Sequence, residues 1–219
     1  MKRIIAFAAA ASMMLFAVNS HAQIGLGVGA GFINSGRMLS ESSLTKAHGF
    51  NGFYAGVDYT LKFTKELSLM PGIAFSYTTG KASVTKTNGD WITSKVDETY
   101  ISVPIDLKYT AALAKTVNIF VLAGPVISYG LMSSEETNVS ISTYELELGE
   151  TINCYDKGIN GSYPYSPFEV LIEAGGGVEV SRLRLTASYG FGLLDRYKGD
   201  DSSVSIKRNQ FKVGLAFVF

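Results

Sequence analysis

Apolar and small side chains alternate along the chain from residue 24 onward, and this period of two is its dominant pattern. Over residues 24–32, bulky apolar or alanine side chains occupy the even positions and glycine occupies every odd position. Side chains of a β-strand point alternately to opposite faces, so the pattern predicts a sheet whose faces lie in different surroundings. The glycines do not indicate a dinucleotide-binding loop, because the third glycine of G-x-G-x-x-G is missing and no helical pattern follows.

Seven later segments repeat the alternation, which predicts eight strands in all. They cover residues 53–62, 67–77, 101–109, 117–130, 170–180, 183–193 and 211–219. Pro71, Pro104 and Pro125 fall inside predicted strands, and proline cannot donate a hydrogen bond to a neighbouring strand. We therefore expect bulges or locally irregular pairing at these three positions.

The composition of the two faces separates a membrane barrel from a soluble sandwich. In a soluble barrel the bulky apolar face points inward, whereas here the second face is rich in Gly, Ser, Thr and Ala with a few charges. Such small residues fit the narrow interior of a closed barrel, and the bulky face then meets lipid. Closure is required because an open edge in hydrocarbon leaves backbone groups unpaired. We expect an all-β, eight-stranded antiparallel transmembrane up-and-down barrel.

The connections between the predicted strands alternate in length. The long polar ones are 34–52, 79–99, 131–167 and 195–205, and the short ones are 63–66, 110–116 and 181–182. This matches long outer loops and short periplasmic turns. The predicted aromatic rims are Tyr59, Tyr109 and Phe219 on the periplasmic side and Tyr77 and Tyr129 on the outer side. Residues 139–148 are expected to extend the sheet above the membrane as a hairpin arm, since so long a structureless loop is uncommon.

The first 22 residues predict a secretory signal peptide. Lys2 and Arg3 precede an apolar run over 4–18, and Ser20-His21-Ala22 places small residues at the two positions read by signal peptidase. We expect cleavage before Gln23, which leaves 23–219 as the outer-membrane barrel domain. The chain has one cysteine, so the exported barrel has no intrachain disulfide.

The charge balance excludes a nucleic-acid partner and points instead to the barrel interior. Lys plus Arg and Asp plus Glu number 19 each, so the basic surface of a nucleic-acid binder is missing. Four acids and four bases fall on the inward face of the predicted strands: Asp58, Lys62, Asp106, Lys108, Glu173, Glu179, Arg184 and Lys212. Equal signs favour a salt-bridged plug, with a catalytic or proton-conducting cluster as the alternative.

The third outer loop is the most distinctive surface feature of the sequence. Its acidic and tyrosine residues are Glu135, Glu136, Tyr144, Glu145, Glu147, Glu150, Tyr155 and Asp156. A projecting loop with acids and tyrosines suits recognition of a protein or glycan partner. The alternative is a hydrated loop that contacts lipopolysaccharide through divalent cations.

Candidate catalytic and metal-binding residues are few. His48 is the one histidine left after signal removal, and its neighbours Glu41, Ser42, Ser43 and Thr45 form no recognisable triad spacing. Asp195, Asp200 and Asp201 do not have the ligand spacing of a calcium loop. Cys154 has no basic neighbour that would activate its thiol. We expect neither enzymatic activity nor a metal or other cofactor.

Several strands resemble the PorT-like outer-membrane β-barrel domain family. The similar segments are Tyr100-Ile101-Ser102-Val103-Pro104-Ile105-Asp106-Leu107-Lys108-Tyr109, Ala123-Gly124-Pro125 with Ser128-Tyr129-Gly130, Glu173-Ala174-Gly175-Gly176-Gly177-Val178-Glu179, and Tyr189-Gly190-Phe191-Gly192-Leu193-Leu194-Asp195. The resemblance implies a small barrel similar to the OmpX and OmpA membrane domains. Phe219 at the end of the chain also resembles the signal read by the barrel-assembly machinery. The family implies little about activity, although its namesake supports a secretion system.

The function expected from the sequence is non-enzymatic, either structural or surface recognition through the outer loops. An accessory subunit of an outer-membrane secretion or assembly complex is the first alternative, and a narrow channel or a lipid-modifying enzyme is the further one. The expected contacts are outer-membrane lipid, lipopolysaccharide, the barrel-assembly machinery and a protein or glycan at the outer loops.

Overall fold

The alternating segments form nine β-strands in a computed structural model, which describes residues 24–39, 49–85, 91–141, 144–156, 165–197 and 206–219. The strands in these ranges are β1 (Ile24–Leu39), β2 (Gly49–Lys62), β3 (Leu67–Thr85), β4 (Trp91–Ala114), β5 (Val117–Ile141), β6 (Tyr144–Asn153), β7 (Phe168–Val180), β8 (Leu183–Gly192) and β9 (Ile206–Val218). None of the described residues forms a helix long and apolar enough to cross a membrane. The predicted signal peptide, residues 1–22, lies outside the described residues and stays a prediction.

Eight of the strands close into an antiparallel barrel. The hydrogen-bonded order is β4-β3-β2-β1-β9-β8-β7-β5, and a further pairing of β4 with β5 completes the ring. The first and last strands are neighbours, with Val28 opposite Phe217. Closure pairs the backbone groups around the ring, as a hydrocarbon environment requires. The predicted eight-stranded antiparallel barrel is confirmed.

The outer face of the barrel carries bulky apolar side chains. Phe53, Val121 and Leu215 are 55%, 60% and 53% exposed, while Thr60 on the opposite face of β2 is buried. An apolar belt of this extent is typical of a membrane-facing surface rather than a monomeric soluble one. The two faces predicted from the alternation are therefore confirmed.

The strand prolines interrupt the ladder without shifting its register. Pairing of β2 with β3 stops beside Pro71 and resumes with the same offset, because Asp58 lies opposite Gly72 and Leu61 opposite Leu69. The ladders beside Pro104 and Pro125 are interrupted in the same way. Locally irregular pairing is thus confirmed at the prolines. The register shifts between β4 and β5 lie elsewhere, at Thr99/Tyr100 and at Ala112/Ala114.

A projecting sheet, which we call the outer arm, rises beyond the barrel. It consists of 77–85 of β3, 91–99 of β4, 133–141 of β5 and the whole of β6. A membrane crossing needs about 9–11 strand residues, whereas β4 and β5 have 24 and 25. The predicted hairpin over 139–148 is confirmed. The predicted loop bounds 34–52, 79–99 and 131–167 are wrong, because the strands extend into these ranges. Strands outside the lipid keep their hydrogen bonds but do not need an apolar face, so the apolar alternation used to predict them is absent there.

Candidate functional site

Three ion pairs cross the barrel interior. Arg184 on β8 pairs with Asp58 on β2, and its Nη1 donates to the Met70 sulfur at 3.0 Å. Lys108 on β4 pairs with Glu179 on β7. Lys212 on β9 and Glu173 on β7 are joined by an Nζ–Oε2 distance of 2.6 Å. In each case the partners come from strands that are distant in sequence, and the base is largely or wholly buried.

Glycines on the inner face make room for these long side chains. A Cβ atom on Gly27 would collide with both Arg184 and Asp58, and one on Gly214 would collide with the Tyr54 hydroxyl. These two glycines, of β1 and β9, therefore have a steric role, since they leave room in the lumen for an ion pair and an aromatic ring. An apolar group of Met70, Phe120 and Leu122 packs beside the ion pairs, with Lys108 Nζ 4.6 Å from the centre of the Phe120 ring.

Two of the eight predicted lumen charges, Lys62 and Asp106, are not members of these three pairs. Lys62 is exposed at the end of β2, next to the 63–66 turn. Asp106 is 3% exposed, and its Oδ1 accepts no hydrogen bond from the described residues. The predicted four-to-four pairing thus becomes three pairs, an exposed lysine and a buried carboxylate without an ion pair.

A small cavity of about 100 Å³ lies between the ion pairs in the barrel interior. Its charged lining consists of Asp58, Asp106, Glu173, Arg184 and Lys212. A cavity of this size with several polar lining residues can hold a few water molecules.

A second ionic layer, which we call the mouth cluster, lies closer to the loop end. It contains Glu98 and Tyr100 of β4, Glu169 of β7, Arg208 of β9 and Arg196 of the β8–β9 connection, and each is at most 1% exposed. Arg196 Nε lies 3.2 Å from Glu169 Oε1, and Arg208 Nη2 lies 2.7 Å from Glu169 Oε2. The Arg208 guanidinium also stacks 3.8 Å from the centre of the Tyr100 ring. Two acids and two bases thereby close the upper lumen.

The mouth cluster was missed by the sequence analysis. Glu98, Glu169 and Arg208 occupy the same inward phase as Asp106, Glu173 and Lys212, so extending the alternation past the predicted strand ends would have placed them inside. Arg196 had no such signal, because it belongs to a connection. Its backbone position depends on hydrogen bonds to Ser166 and Ile206, which form only in the folded barrel.

Tyr155 of the predicted recognition loop lies in the mouth rather than projecting from it. Its hydroxyl accepts a hydrogen bond from Arg196 Nη2 at 3.0 Å, and its ring fills a notch left by Gly130. A side chain at position 130 would occupy the same space. Tyr155 therefore helps to close the lumen, which differs from the surface role predicted for it.

The other predicted recognition residues lie on the outer arm or beside it. Glu135 and Glu136 are in β5, opposite Ile152 and Thr151 of β6, and Asp156 follows β6 as an exposed residue. The β6 strand carries Tyr144, Glu145, Glu147 and Glu150. Cys154 is buried, with its sulfur 3.9 Å from Glu135 Oε2. The structure thus gathers the acidic positions onto a hydrogen-bonded sheet instead of an irregular loop.

Charged side chains mark the upper edge of the apolar belt. Lys95 Nζ lies 3.0 Å from Asp97 Oδ2, and the Tyr77 hydroxyl donates to Asp97 Oδ1 at 2.9 Å. Partial burial opposes ionisation of Asp97, but hydrogen bonds from Thr79, Lys95 and Tyr77 outweigh it and lower the pKa of Asp97 below its usual value. A carboxylate held ionised on the outward face places this level outside the hydrocarbon.

The structure does not support a catalytic or cation-binding role for the candidate residues that it describes. His48, Glu41, Ser42, Ser43, Thr45, Asp200 and Asp201 lie outside the described residues. Asp195 Oδ1 instead accepts backbone N–H groups of Tyr197 and Ile206, each at 2.9 Å, which shapes the β8–β9 connection. Within the described ranges, no group of three or more His, Cys, Asp or Glu side chains is arranged to hold a metal ion.

Comparison with known proteins places the chain among outer-membrane barrels. A family model described as the outer membrane protein beta-barrel domain matches residues 16–198. No curated protein matches the chain.

Solved structures give similar barrels at low identity. The attachment invasion locus protein Ail of Yersinia pestis, in complex with the heparin analogue sucrose octasulfate, is 14% identical, with 90% of this chain and 99% of Ail covered and a TM-score of 0.41. Neisserial surface protein A is 14% identical, with coverage of 91% and 100% and a TM-score of 0.42. The outer membrane enzyme PagL is 8% identical, with coverage of 87% and 98% and a TM-score of 0.44. These likenesses concern the fold alone.

Proposed function

Because the chain belongs to the outer membrane protein beta-barrel domain family, we propose that it is a non-enzymatic outer-membrane protein that binds a protein partner at the cell surface through its outer arm. The observation that carries the proposal is the arm itself. It continues the barrel sheet beyond the apolar belt, where strands are not needed to cross the membrane.

The exposed edge of the arm supports recognition by strand addition. Among the described residues β6 is hydrogen-bonded to β5 alone, so no described strand pairs with its second edge over Tyr144–Asn153. An open edge presents a row of backbone donors and acceptors that an extended segment of another protein can pair with. Over this strand the sequence contains three glutamates and no lysine or arginine, which favours a basic segment as the partner.

The lumen supports a binding role less well than the arm. Three ion pairs and the mouth cluster occupy most of the inward-facing charges, and both arginines of the mouth cluster are engaged. The interior of an eight-stranded barrel is only wide enough for side chains to fill, and the fold depends on each pair being complete because a lone partner is an uncompensated buried charge. We therefore assign the interior to stability and the arm to recognition.

The test compares surface binding by variants of the arm with a matched control. Reversing Glu145, Glu147 and Glu150 to Lys should abolish crosslinking of intact cells to a partner protein, and deleting residues 139–163 should do the same. Glu66→Lys, in an exposed turn at the opposite end of the barrel, should leave binding unchanged. Refolded variants must first show the gel-mobility shift of a folded barrel. An unchanged crosslinking profile in both arm variants would refute the role of the arm.

A second candidate is an accessory subunit of an outer-membrane secretion or assembly complex. It is favoured by the resemblance of residues 100–109 to a PorT-like strand. Co-purification from native membranes in mild detergent distinguishes the two: a stoichiometric set of membrane partners that survives arm deletion supports the accessory role. An isolated barrel that loses its partner with the arm supports recognition.

A further inference from the structure

The cavity in the barrel interior has an excess of negative charge. Three carboxylates line it, from Asp58, Asp106 and Glu173, but only two cations do, from Arg184 and Lys212. Arg184 is paired with Asp58 and Lys212 with Glu173. Asp106 is therefore the acid whose charge is left over.

Two carboxylate oxygens at the cavity lack a hydrogen-bond donor within the part of the chain that the structure describes. Asp106 Oδ1 and Asp58 Oδ1 are both buried and accept no hydrogen bond from the described residues. Asp106 is 3% exposed, and the side chains that act on it electrostatically are Glu173, Lys212 and Asp58. A buried carboxylate without a partner is costly unless a positive group or a set of donors satisfies it.

We propose that this cavity is a binding site for one alkali-metal cation, held between Asp106 and Asp58. Oxygen atoms of carboxylates are the ligands that hard cations prefer. One positive charge balances the single unpaired carboxylate, whereas a divalent ion would leave an excess of positive charge. The cavity of about 100 Å³ has room for a small cation that keeps part of its hydration shell.

The site is independent of the recognition role proposed for the outer arm. Its ligands come from β2 and β4 inside the barrel, and neither side chain contributes to the projecting sheet. A cation bound there ties two strands together and, because it binds the folded barrel rather than the unfolded chain, raises the stability of the fold.

The experiment measures unfolding of the complete refolded barrel in liposomes with different salts at one ionic strength. The urea midpoint of the wild-type protein should be higher in sodium or potassium chloride than in choline chloride, whose cation is too large for the cavity. Asp106→Asn should remove that difference. Asp156→Asn, which removes an exposed carboxylate outside the barrel, should retain it.

Sodium NMR tests the proposal on the wild-type protein alone, whether or not the variant folds. Sodium NMR of the wild-type barrel should show saturable line broadening that potassium reverses by competition. Equal urea midpoints in alkali-metal and choline salts would overturn the proposal, as would linear, unsaturable broadening. A protonated-carboxyl infrared band in the wild type at neutral pH that disappears in Asp106→Asn would also overturn it, because a proton would then occupy the place of the cation.

Discussion

The buried charges of the ion pairs in the barrel are tolerated because each has an oppositely charged partner and, at Arg184, a small neighbouring residue leaves room for the pair. Arg184 is 2% exposed, pairs with Asp58, and lies against a glycine whose Cβ would displace it. Ion pairs of this kind add little net stability over an apolar pair of the same shape, but removing one partner leaves an uncompensated charge. The residues most sensitive to substitution are therefore single members of pairs.

Replacing Arg184 with Met should lower the free energy of unfolding by about 3 kcal/mol, because Asp58 then loses its counter-ion inside the barrel. The loss lies at the lower end of the range for buried pairs because the Asp58 side chain is 21% exposed, so water partly screens its charge. Urea unfolding in liposomes measures the effect. The double variant Arg184→Met with Asp58→Asn should recover much of the loss, and a double variant that is no more stable than the single one would contradict the pairing.

One residue holds a strained backbone conformation. Ser181, in the two-residue turn between β7 and β8, has a φ angle of 56°. Glycine adopts this left-handed conformation without the steric cost that other residues have. Ser181→Gly should therefore raise the free energy of unfolding by up to about 1 kcal/mol. Ser181→Val should lower it, and equal stability of the two variants would argue against strain at the turn.

At the scale of the strand, the environment of each face decides which residues are acceptable. A strand needs bulky apolar side chains only where it meets lipid, and small or paired polar ones where it meets the lumen. Above the lipid the same strands continue without that contrast, as β4 and β5 show in the outer arm. Strand prolines are accepted because the ladder can skip a few pairings without losing register.

The assignment of faces can be tested with arginine substitutions on one strand. Val57 of β2 is 42% exposed on the outward face. Val57→Arg should cost roughly 2–4 kcal/mol of folding free energy in liposomes if it lies near the bilayer midplane. Thr60→Arg changes a buried inward residue of the same strand, so its cost should respond little to bilayer thickness. A stronger dependence on lipid chain length for Thr60→Arg than for Val57→Arg would show that the two faces are exchanged, as in a one-residue register error, and equal dependence would also contradict the assignment.

At the scale of the whole molecule, successive ionic layers and an apolar group fill the interior. The ionic layers come from β2, β4, β7, β8, β9 and the β8–β9 connection, and Gly27 of β1 leaves room for one of the ion pairs. The mouth cluster is further covered by Tyr155 and by the β8–β9 connection that carries Arg196. Because eight strands enclose an interior only wide enough for side chains to fill, and the described inward side chains are paired or packed, we expect a channel role to require side chains to move.

We predict that the purified wild-type barrel shows no stable stepwise openings in planar bilayers. Arg196→Met alone should change little, because the Arg208–Glu169 contact and the lower ion pairs are retained. Combining Arg196→Met with Arg208→Met should produce brief openings by removing both bases of the mouth cluster. Frequent openings in the wild type that shift on charge reversal at Asp106 or Arg184 would show a channel instead of a plug.

The sequence by itself determined the barrel, because alternate residues of each strand face lipid and lumen and therefore differ in side-chain type. It also predicted the inward placement of Asp58, Arg184, Lys108 and Glu179, since that needs only the phase of the alternation. Which acid meets which base was decided by the tertiary structure. Asp58 and Arg184 are 126 positions apart, and Lys108 and Glu179 are 71 apart. The stagger of the closed barrel brings them together, and no local pattern records that stagger. For the same reason the contacts within the mouth cluster, the lack of an ion pair at Asp106 and the position of Arg196 were decided by the complete ring of strands.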